Sequence, residues 1–141
     1  MISSSSSKSP PALGAEAVAE FSAKCMALGF SVEDQSDRLL PHDLVVNGLR
    51  VEVKTRTTDS TTFHLKGRRS CFLIAYKTQD VDVFAIRLNG LWHIFPSTVL
   101  AGDTGNVRNK VTVERISPYA NDWGVLSHSG GTRIRQKNFL K

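Results

Sequence analysis

The hydrophobic and polar positions of the chain repeat with two different periods, and each period predicts one kind of element. From about residue 15 to residue 28 the sequence is rich in alanine, and its larger apolar side chains recur at helical spacing. These apolar positions are Val18, Phe21, Cys25 and Leu28. A single apolar stripe is typical of a helix that packs on a core, so we predict a helix over about 15–28 that ends at Gly29.

An alternation with a period of two appears in two pairs of segments, each joined by an Asn-Gly dipeptide. The segments of the first pair are 43–47 and 49–55, and those of the second pair are 81–88 and 91–95. Asn-Gly between two such segments is typical of a tight antiparallel turn, and here the dipeptides are Asn47-Gly48 and Asn89-Gly90. We therefore predict two β-hairpins.

Shorter apolar runs predict the remaining elements of the domain. We expect the start of a strand within 31–40, strands at 63–65, 71–76 and 111–116, a basic turn at 66–69, and a short helix from 96 to 100. The run at 71–76 is continuously apolar and is expected to be fully buried. A helix followed by paired strands predicts an α/β domain with a central mixed sheet flanked by helices, in which the N-terminal helix precedes the first hairpin.

Composition divides the chain into three parts. Residues 1–13 are rich in serine and proline without periodicity, which predicts a flexible tail, and 14–126 hold the predicted elements of a single domain. The last part, 127–141, contains Arg133, Arg135, Lys137 and Lys141. We predict a basic tail there, which suits either a contact with a nucleic-acid backbone or a frayed, solubilising end.

Net charge and cysteine usage narrow the classes of function. The 141 residues carry a formal net charge of +5 and have a sequence pI of about 9.5, which favours a polyanionic partner, nucleic acid before membrane. No apolar run reaches the roughly 18 residues that a membrane span needs. Cys25 and Cys71 stand outside any Cys-x-x-Cys or Cys/His cluster, so we expect reduced thiols and no structural zinc site. An intracellular, soluble protein is the expectation.

Three polar side chains of the first predicted hairpin carry the candidate chemistry. Asp43 opens its first strand, and antiparallel pairing about the Asn-Gly turn brings it beside Glu52 and Lys54, which share one face of the second strand. Carboxylates are the hard oxygen ligands that Mg²⁺ prefers, and a nearby lysine orients or deprotonates a water or neutralises developing charge. The backbone carbonyl of Val53 is a further candidate ligand. This set indicates metal-dependent phosphodiester chemistry.

Each of these features also has a simpler interpretation. Acidic and basic residues alternate with valines in many half-exposed sheets, so Glu52 and Lys54 are also compatible with cross-strand surface charges. Glu16 and Glu20, near the start of the helix, suit the helix dipole without any chemistry. Four basic residues follow the hairpin, either beside passing phosphates or in a solvated loop. These four are Arg56, Lys66, Arg68 and Arg69.

From residue 14 to residue 55, and more loosely as far as residue 95, the sequence resembles the PD-(D/E)XK nuclease superfamily. In that family a helix with a glutamate precedes a strand with an aspartate, and the next strand holds (D/E)-x-K. The resemblance implies a restriction-endonuclease-like core. It also implies that Asp43 and Glu52 are metal-binding carboxylates and that Lys54 is the catalytic lysine.

The helix glutamate is the least defined part of this resemblance. The family implies that it is an accessory catalytic and metal ligand, and we assign that role to Glu20 because it lies at the edge of the packed helix face. Glu16 stays open as the alternative. The sequence Pro41-His42-Asp43 also departs from the family's Pro-Asp by one inserted residue, although the proline is not chemically required.

The resemblance implies a DNA endonuclease that depends on Mg²⁺, with Mn²⁺ able to substitute, and that hydrolyses phosphodiester bonds with metal-activated water. Small members of the family include junction resolvases, restriction enzymes and homing endonucleases, and the residues do not choose among these. One site in so small a chain, together with the resemblance, favours a homodimer or higher homo-oligomer. The alternatives are a DNA-binding module without catalysis on the same fold and a small basic structural protein of a larger assembly.

Overall fold

The computed structural model describes residues 10–36, 42–65, 67–69, 72–74, 78–101, 106–107 and 110–127, with side chains for all of these except 10–12, 67–69 and 72–74. The helices are α1 (Pro10–Ala27), α2 (Thr98–Ala101) and α3 (Val113–Ile116), followed by 3₁₀ turns at Ser117–Tyr119 and Trp123–Leu126. The strands are β1 (Val32–Asp34), β2 (Leu44–Val46), β3 (Leu49–Arg56), β4 (Thr62–His64), β5 (Gly67–Arg69), β6 (Phe72–Ile74), β7 (Val83–Leu88), β8 (Leu91–Pro96) and β9 (Lys110–Thr112).

The centre of the domain is a five-stranded sheet with the order β1-β2-β3-β7-β8. Its central pair, β3 and β7, is parallel, and the other neighbours are antiparallel, so the predicted mixed sheet is confirmed. Two further antiparallel pairs, β4 with β9 and β5 with β6, are formed outside this sheet. Of the helices in the described residues, none is both long and apolar enough to cross a membrane.

Both predicted hairpins are present, and their turns have the backbone that Asn-Gly favours. Asn47 and Gly48 have φ angles of 51° and 84°, and Asn89 and Gly90 have φ angles of 50° and 86°. Two successive positive φ angles are those of a type I′ turn, whose twist matches that of the strands it joins. The first turn fixes the register of β2 against β3, and this register positions the candidate site.

The predicted N-terminal helix is confirmed, but it begins earlier than predicted. It includes residues 10–13, which were assigned to the tail, because a proline in the first turn costs no hydrogen bond. At its other end the N–H of Phe30 donates to the carbonyl of Cys25, and Gly29 has a φ of 85°. Leu28 lies in this terminal turn and is 52% exposed, so its predicted place in the buried stripe is wrong.

Two glycines of this segment provide a matched test of the local backbone. Gly29→Ala is expected to lower the free energy of unfolding by about 1 kcal/mol, because an L side chain is strained at positive φ. Gly14→Ala is expected to raise it by about 0.5–1 kcal/mol, because alanine restricts the unfolded chain and suits a helix interior. A Cβ at either position meets no atom within 4 Å, so contacts do not confuse the comparison. Urea denaturation of both variants measures these changes, and equal shifts would contradict the expectation.

The central sheet is buried on both faces by different elements. On the α1 face, which carries Val51 and Val53, the helix packs through apolar side chains such as Phe21. On the second face, which carries Phe84 and Ile86, the cover comes from the β4–β9 pair and from α2 and α3. Successive side chains of a strand point to opposite faces, so the polar positions of β3 between the valines belong to the second face.

Two predicted elements of the peripheral layer are wrong in part. The segment 111–116 is a strand only as far as Thr112, where the pairing of β9 with the three residues of β4 ends, and the N–H of Val113 makes one more bond, to the Thr61 carbonyl. The chain turns into α3, which buries Ile116 in the second-face cluster. The basic turn at 66–69 is instead strand β5 from Gly67 onward, and its ladder with β6 satisfies backbone groups that a turn would leave open.

The other short elements agree with the sequence. Strand β1 begins within 31–40, and β4 lies one residue before the predicted strand at 63–65. The predicted short helix is present as α2, but it begins at Thr98, because Pro96 belongs to β8. Within 71–76 the strand is confirmed over Phe72–Ile74, and its predicted burial lies outside the described side chains. The segments 1–9 and 128–141 also lie outside the description, so the tails and domain limits stay predictions.

Candidate active site

The first hairpin places Asp43 beside the strand that carries Glu52. The register of β2 against β3 ends with Leu44 paired with Val51, and Asp43 directly precedes Leu44. The N–H of Asp43 donates to the carbonyl of Val51 at 2.9 Å, and the N–H of Val53 donates to Oδ2 of Asp43 at 3.0 Å. The Asp43 side chain therefore stands where the backbone of β2 would otherwise pair with β3, and its carboxylate is held against the strand that carries Glu52.

Glu52 and Lys54 form an ion pair on the second face of the sheet. Nζ of Lys54 lies 3.2 Å from Oε2 of Glu52, and the two side chains are only 17% and 9% exposed. Both residues lie across from apolar residues of β7, because Glu52 pairs with Phe84 and Lys54 with Ile86. Charges this far from water are costly unless they are paired, so the sequence motif is not a solvated surface pattern. The simpler interpretation of these two residues is therefore disfavoured by their burial.

The backbone carbonyl of Val53 faces the same edge of β3 as the Asp43 carboxylate. Within a strand, the N–H and C=O of one residue point toward the same neighbouring strand. The Val53 N–H points to Asp43, so its carbonyl points to that edge as well. The Asp43 carboxylate and the Val53 carbonyl thus lie at the same edge of β3, between the residues of the Glu52–Lys54 ion pair.

The helix glutamates lie on the other face of the sheet. Both carboxylate oxygens of Glu20 are engaged, Oε1 by Nη1 of Arg87 and Oε2 by Nε1 of Trp92 at 2.7 Å. Glu16 lies on the same helix, with Oε1 3.7 Å from Nη2 of Arg87. Among the described residues, no three His, Cys, Asp or Glu side chains are grouped closely enough to hold a metal ion. The structure bonds Asp43 to Val53 and pairs Glu52 with Lys54 on the same strand, whereas Glu20 contacts Arg87 and Trp92 on the other face.

The engagement of Glu20 has an electrostatic consequence. The hydrogen bond from the Trp92 indole, the largest influence, lowers the pKa of the Glu20 carboxyl, while partial burial opposes this and Arg87 adds to the lowering. Glu20 is thus a charged partner for Arg87 at neutral pH. Arg87 and Trp92 were not predicted as site neighbours, since they lie 67 and 72 residues away from Glu20 along the chain.

Gln35 and His42, which flank the site, are a second feature that the sequence did not predict as a pair. Oε1 of Gln35 lies 2.7 Å from Nε2 of His42, and the Gln35 N–H donates to the carbonyl of Asp43 at 2.8 Å. Burial, and then the positive charge of Arg50, lower the pKa of His42. The adjacency of His42 to Asp43 was the only signal in the sequence, and Gln35 had none. These contacts fix the chain on the N-terminal side of Asp43.

The charged side chains of β3 continue along the second face on both sides of the ion pair. Arg50 forms a bidentate ion pair with Asp82, in the loop before β7: its Nη2 and Nε lie 3.0 Å and 3.1 Å from the two carboxylate oxygens. Arg56, two residues after Lys54, donates from Nη1 to the Thr55 carbonyl at 2.9 Å. Arg56 is the last of the charged side chains of β3 on this face, where DNA phosphates are predicted to pass.

The other predicted nucleic-acid contacts are only partly described. Lys66 lies outside the described residues, and Arg68 and Arg69 lie in β5 with their side chains outside the description.

Of the two thiols, Cys25 is free and buried, and burial raises its pKa to about 12. Cys71 lies outside the described residues.

Comparison with solved structures identifies the fold. The bacterial homing endonuclease I-Ssp6803I matches with a TM-score of 0.61 and 18% identity, over 91% of this chain and 94% of that one. Hjc from Archaeoglobus fulgidus, a Holliday junction resolvase from an archaeal hyperthermophile, matches with a TM-score of 0.55 and 18% identity, over 82% and 96%. No protein-family model and no curated protein sequence matches the chain. The chain has the restriction-endonuclease-like α/β fold.

Proposed function

We propose that the protein is a Mg²⁺-dependent DNA endonuclease that hydrolyses phosphodiester bonds. The observation that carries the proposal is that Asp43 bonds to the Val53 N–H, between Glu52 and Lys54, and that Nζ of Lys54 lies 3.2 Å from Oε2 of Glu52. A fold by itself does not specify an activity, so these three side chains decide the proposal. Their arrangement on one hairpin combines two anionic ligands with one cation that faces a polyanionic substrate.

The donor set suits a divalent metal with a preference for oxygen. The Asp43 and Glu52 carboxylates and the Val53 carbonyl would hold the ion, and Mg²⁺ commonly takes one or two carboxylates and retains several waters. A third acidic side chain is therefore not required. Mn²⁺ has the same preference for oxygen ligands and is proposed to substitute. When bound, the metal supplies charge stabilisation at the phosphate and lowers the pKa of a water.

The chain's own residues supply the rest of the site. The Lys54 side chain can donate hydrogen bonds to a phosphate oxygen as an ammonium group, or take a proton from the attacking water as a neutral amine, because it lies beside the proposed metal ligand Glu52. Arg56, on the same face and two residues further on, would bind a flanking phosphate. Lys66, Arg68 and Arg69 are proposed to extend this contact. The prediction that Glu20 is a ligand stays a prediction, and its contacts with Arg87 and Trp92 do not support it.

DNA is the proposed partner, and the two proteins of similar fold suggest which kinds of DNA to test. I-Ssp6803I is a homing endonuclease and Hjc is a junction resolvase, so a long duplex site and a four-way junction are the two substrates to compare. One candidate site per chain also favours a homodimer, because cutting two strands at once takes two sites. A binding module without catalysis is the alternative on the same fold.

The test is cleavage of linear duplex, supercoiled and four-way-junction DNA by the full chain over a range of Mg²⁺ concentrations. We expect cleavage of at least one substrate with Mg²⁺ and none with EDTA. Asp43→Asn should raise the Mg²⁺ concentration for half-maximal rate by about tenfold or more, since it removes a ligand charge but keeps an acceptor for the Val53 N–H. Asp59→Asn, in an exposed loop, is the matched control and should behave as the wild type.

The outcomes separate the candidates. Cleavage of junctions alone indicates a resolvase, and cleavage at one long duplex site indicates a homing or restriction enzyme. DNA binding in Ca²⁺ without cleavage in Mg²⁺ or Mn²⁺ indicates the non-catalytic module. No metal-dependent cutting of any substrate, or an unchanged Mg²⁺ dependence in Asp43→Asn, contradicts the proposed site.

A further inference from the structure

A group of hydrogen bonds on the α1 face ties several elements together beside the candidate site. The guanidinium of Arg87, on β7, donates to Glu20 of α1, and Trp92 of β8 donates to the second oxygen of the same carboxylate. Glu16 adds a longer ion pair to Arg87 at 3.7 Å. The guanidinium also lies over the Trp92 ring, 5.8 Å from its centroid. The Arg87 side chain is only 15% exposed, so these contacts hold it in one place.

The third guanidinium nitrogen of Arg87, Nε, contacts β3. It donates to Oγ1 of Thr55 at 3.2 Å, and the Thr55 hydroxyl donates to the backbone carbonyl of Arg87 at 3.4 Å. The two residues are also partners in the register of the parallel strands. Thr55 directly follows Lys54, so this reciprocal contact lies one residue from the candidate catalytic lysine.

In the described residues, this end of β3 has a neighbouring strand on one side. Strand β2 pairs with β3 as far as Val51, and the Asp43 side chain extends the contact to the Val53 N–H. From Lys54 onward, β7 is the strand that pairs with β3 in the part of the chain that the structure describes. A side-chain contact that crosses from β7 to Thr55 therefore restricts the stretch of backbone that carries Lys54.

We propose that Arg87 is a positioning residue: held by Glu20 and Trp92, it fixes through Thr55 the strand end from which Lys54 reaches the scissile phosphate. If Lys54 acts as proposed above, on which this assignment rests, a displacement of its backbone by about 1 Å would slow cleavage by up to about a hundredfold. Glu20 then acts through Arg87, on the face opposite to the metal ligands. Its role is to hold a guanidinium, and it does not bind the metal.

The first test removes the hydroxyl and keeps the shape. Thr55→Val is expected to lower the single-turnover cleavage rate about tenfold at saturating Mg²⁺ and DNA, because the hydrogen bonds with Arg87 are lost. The Mg²⁺ concentration for half-maximal rate and the Kd for DNA in Ca²⁺ should stay within about twofold of wild type. Thr55→Ser, which keeps the hydroxyl, should retain most of the rate. A wild-type rate in Thr55→Val, or equal losses in both variants, would overturn the proposal.

The second test separates a positioning role of Glu20 from a role as a metal ligand. Glu20→Gln is expected to lower the cleavage rate about tenfold with an unchanged Mg²⁺ concentration for half-maximal rate. A rise of that concentration by tenfold or more would identify Glu20 as a ligand and overturn the assignment. Glu16→Gln should lower the rate less than Glu20→Gln, because its contact with Arg87 is longer, at 3.7 Å, and a loss confined to Glu16→Gln would also overturn the assignment. Glu114→Gln, at an exposed position of α3, is the control and should cleave within about twofold of wild type.

A measurement without catalysis keeps the two proposals distinguishable. Amide hydrogen exchange in peptides that cover 53–56 is expected to be about tenfold faster in Thr55→Val than in Thr55→Ser, since a loosened strand end opens more often. If the wild type cuts no DNA, the proposed function fails, and this exchange alone decides whether the Arg87 contact fixes the strand. Equal exchange in the two variants would then overturn the positioning role.

Discussion

Replacing Lys54 by methionine is expected to slow cleavage of a phosphodiester bond by about a thousandfold at saturating Mg²⁺. A positioned proton donor or acceptor contributes about a hundredfold to ten-thousandfold to such reactions, and methionine keeps the length of the side chain without its charge. The ammonium of Lys54 lies 3.2 Å from an oxygen of Glu52, so the substitution removes a charge directly beside a proposed metal ligand. Single-turnover rates measure the effect, because they exclude product release.

The cleavage rate of Lys54→Met should depend on Mg²⁺ differently from that of a variant that lacks a metal ligand. More Mg²⁺ should not restore the rate, whereas the Asp43→Asn variant should recover at high metal concentration. Lys24→Met, on an exposed position of α1, is the control for a general loss of positive charge and should cleave within about twofold of wild type. Since Glu52 loses its nearby cation, the variant is also expected to be less stable, so its rate is measured well below its thermal midpoint. A rate within tenfold of wild type would remove Lys54 from the chemistry.

The hairpin that carries the site could be predicted because its signals are local. The Asn47-Gly48 turn defines which residues face each other, and a two-residue turn leaves one register. Once the register is set, counting places Asp43 beside the strand that carries Glu52, and in the structure Asp43 bonds to Val53 of that strand. Alternation then assigns Lys54 to the same face as Glu52. Nothing outside about a dozen residues was needed for this part of the site.

The helix side of the site could not be predicted in the same way. Whether Glu20 faces a metal or a guanidinium depends on which residues of β7 and β8 lie beneath α1. Arg87 and Trp92 are far away in sequence, and each has many possible partners until the sheet order is known. Helical projection placed Glu20 correctly at the edge of the packed face, but it contains no information on what the neighbouring strand presents. The resemblance to a nuclease family then favoured a ligand, whereas the contacts favour a structural ion pair.

The peripheral errors have a related cause. The pattern of 111–116 alternates as a strand does, yet a strand continues only while another strand pairs with it, and β4 is three residues long. Val111 and Ile116 are both buried, one from a strand and one from the helix that follows it. The periodicity of the sequence therefore identified which side chains are buried. Whether each of them lies on a strand or on a helix depends on the length of β4, which the local pattern does not contain.

The largest effect on stability is expected from Phe21→Ala, with a loss of about 3–5 kcal/mol in the free energy of unfolding. Phe21 is fully buried where α1 meets the sheet, with its ring centroid 5.0 Å from that of Trp92 and 5.2 Å from that of Trp123. Removing the ring leaves a cavity between two large aromatic side chains that cannot both move in to fill it. Domains of this size are stable by about 5–15 kcal/mol, so the loss is a large part of the total.

Phe21→Ala also links the stability of the α1 face to the proposed positioning contact. Trp92 packs on Phe21 and donates to Glu20, so a shifted indole is expected to loosen Arg87 and to slow cleavage in the molecules that stay folded. Urea denaturation followed by tryptophan fluorescence measures the stability, because the chain's two tryptophans both contact Phe21. Met26→Ala, on the same helix but 58% exposed, is the control and should change it by less than about 0.5 kcal/mol. Comparable losses in the two variants would mean that α1 does not hold the sheet through this aromatic cluster.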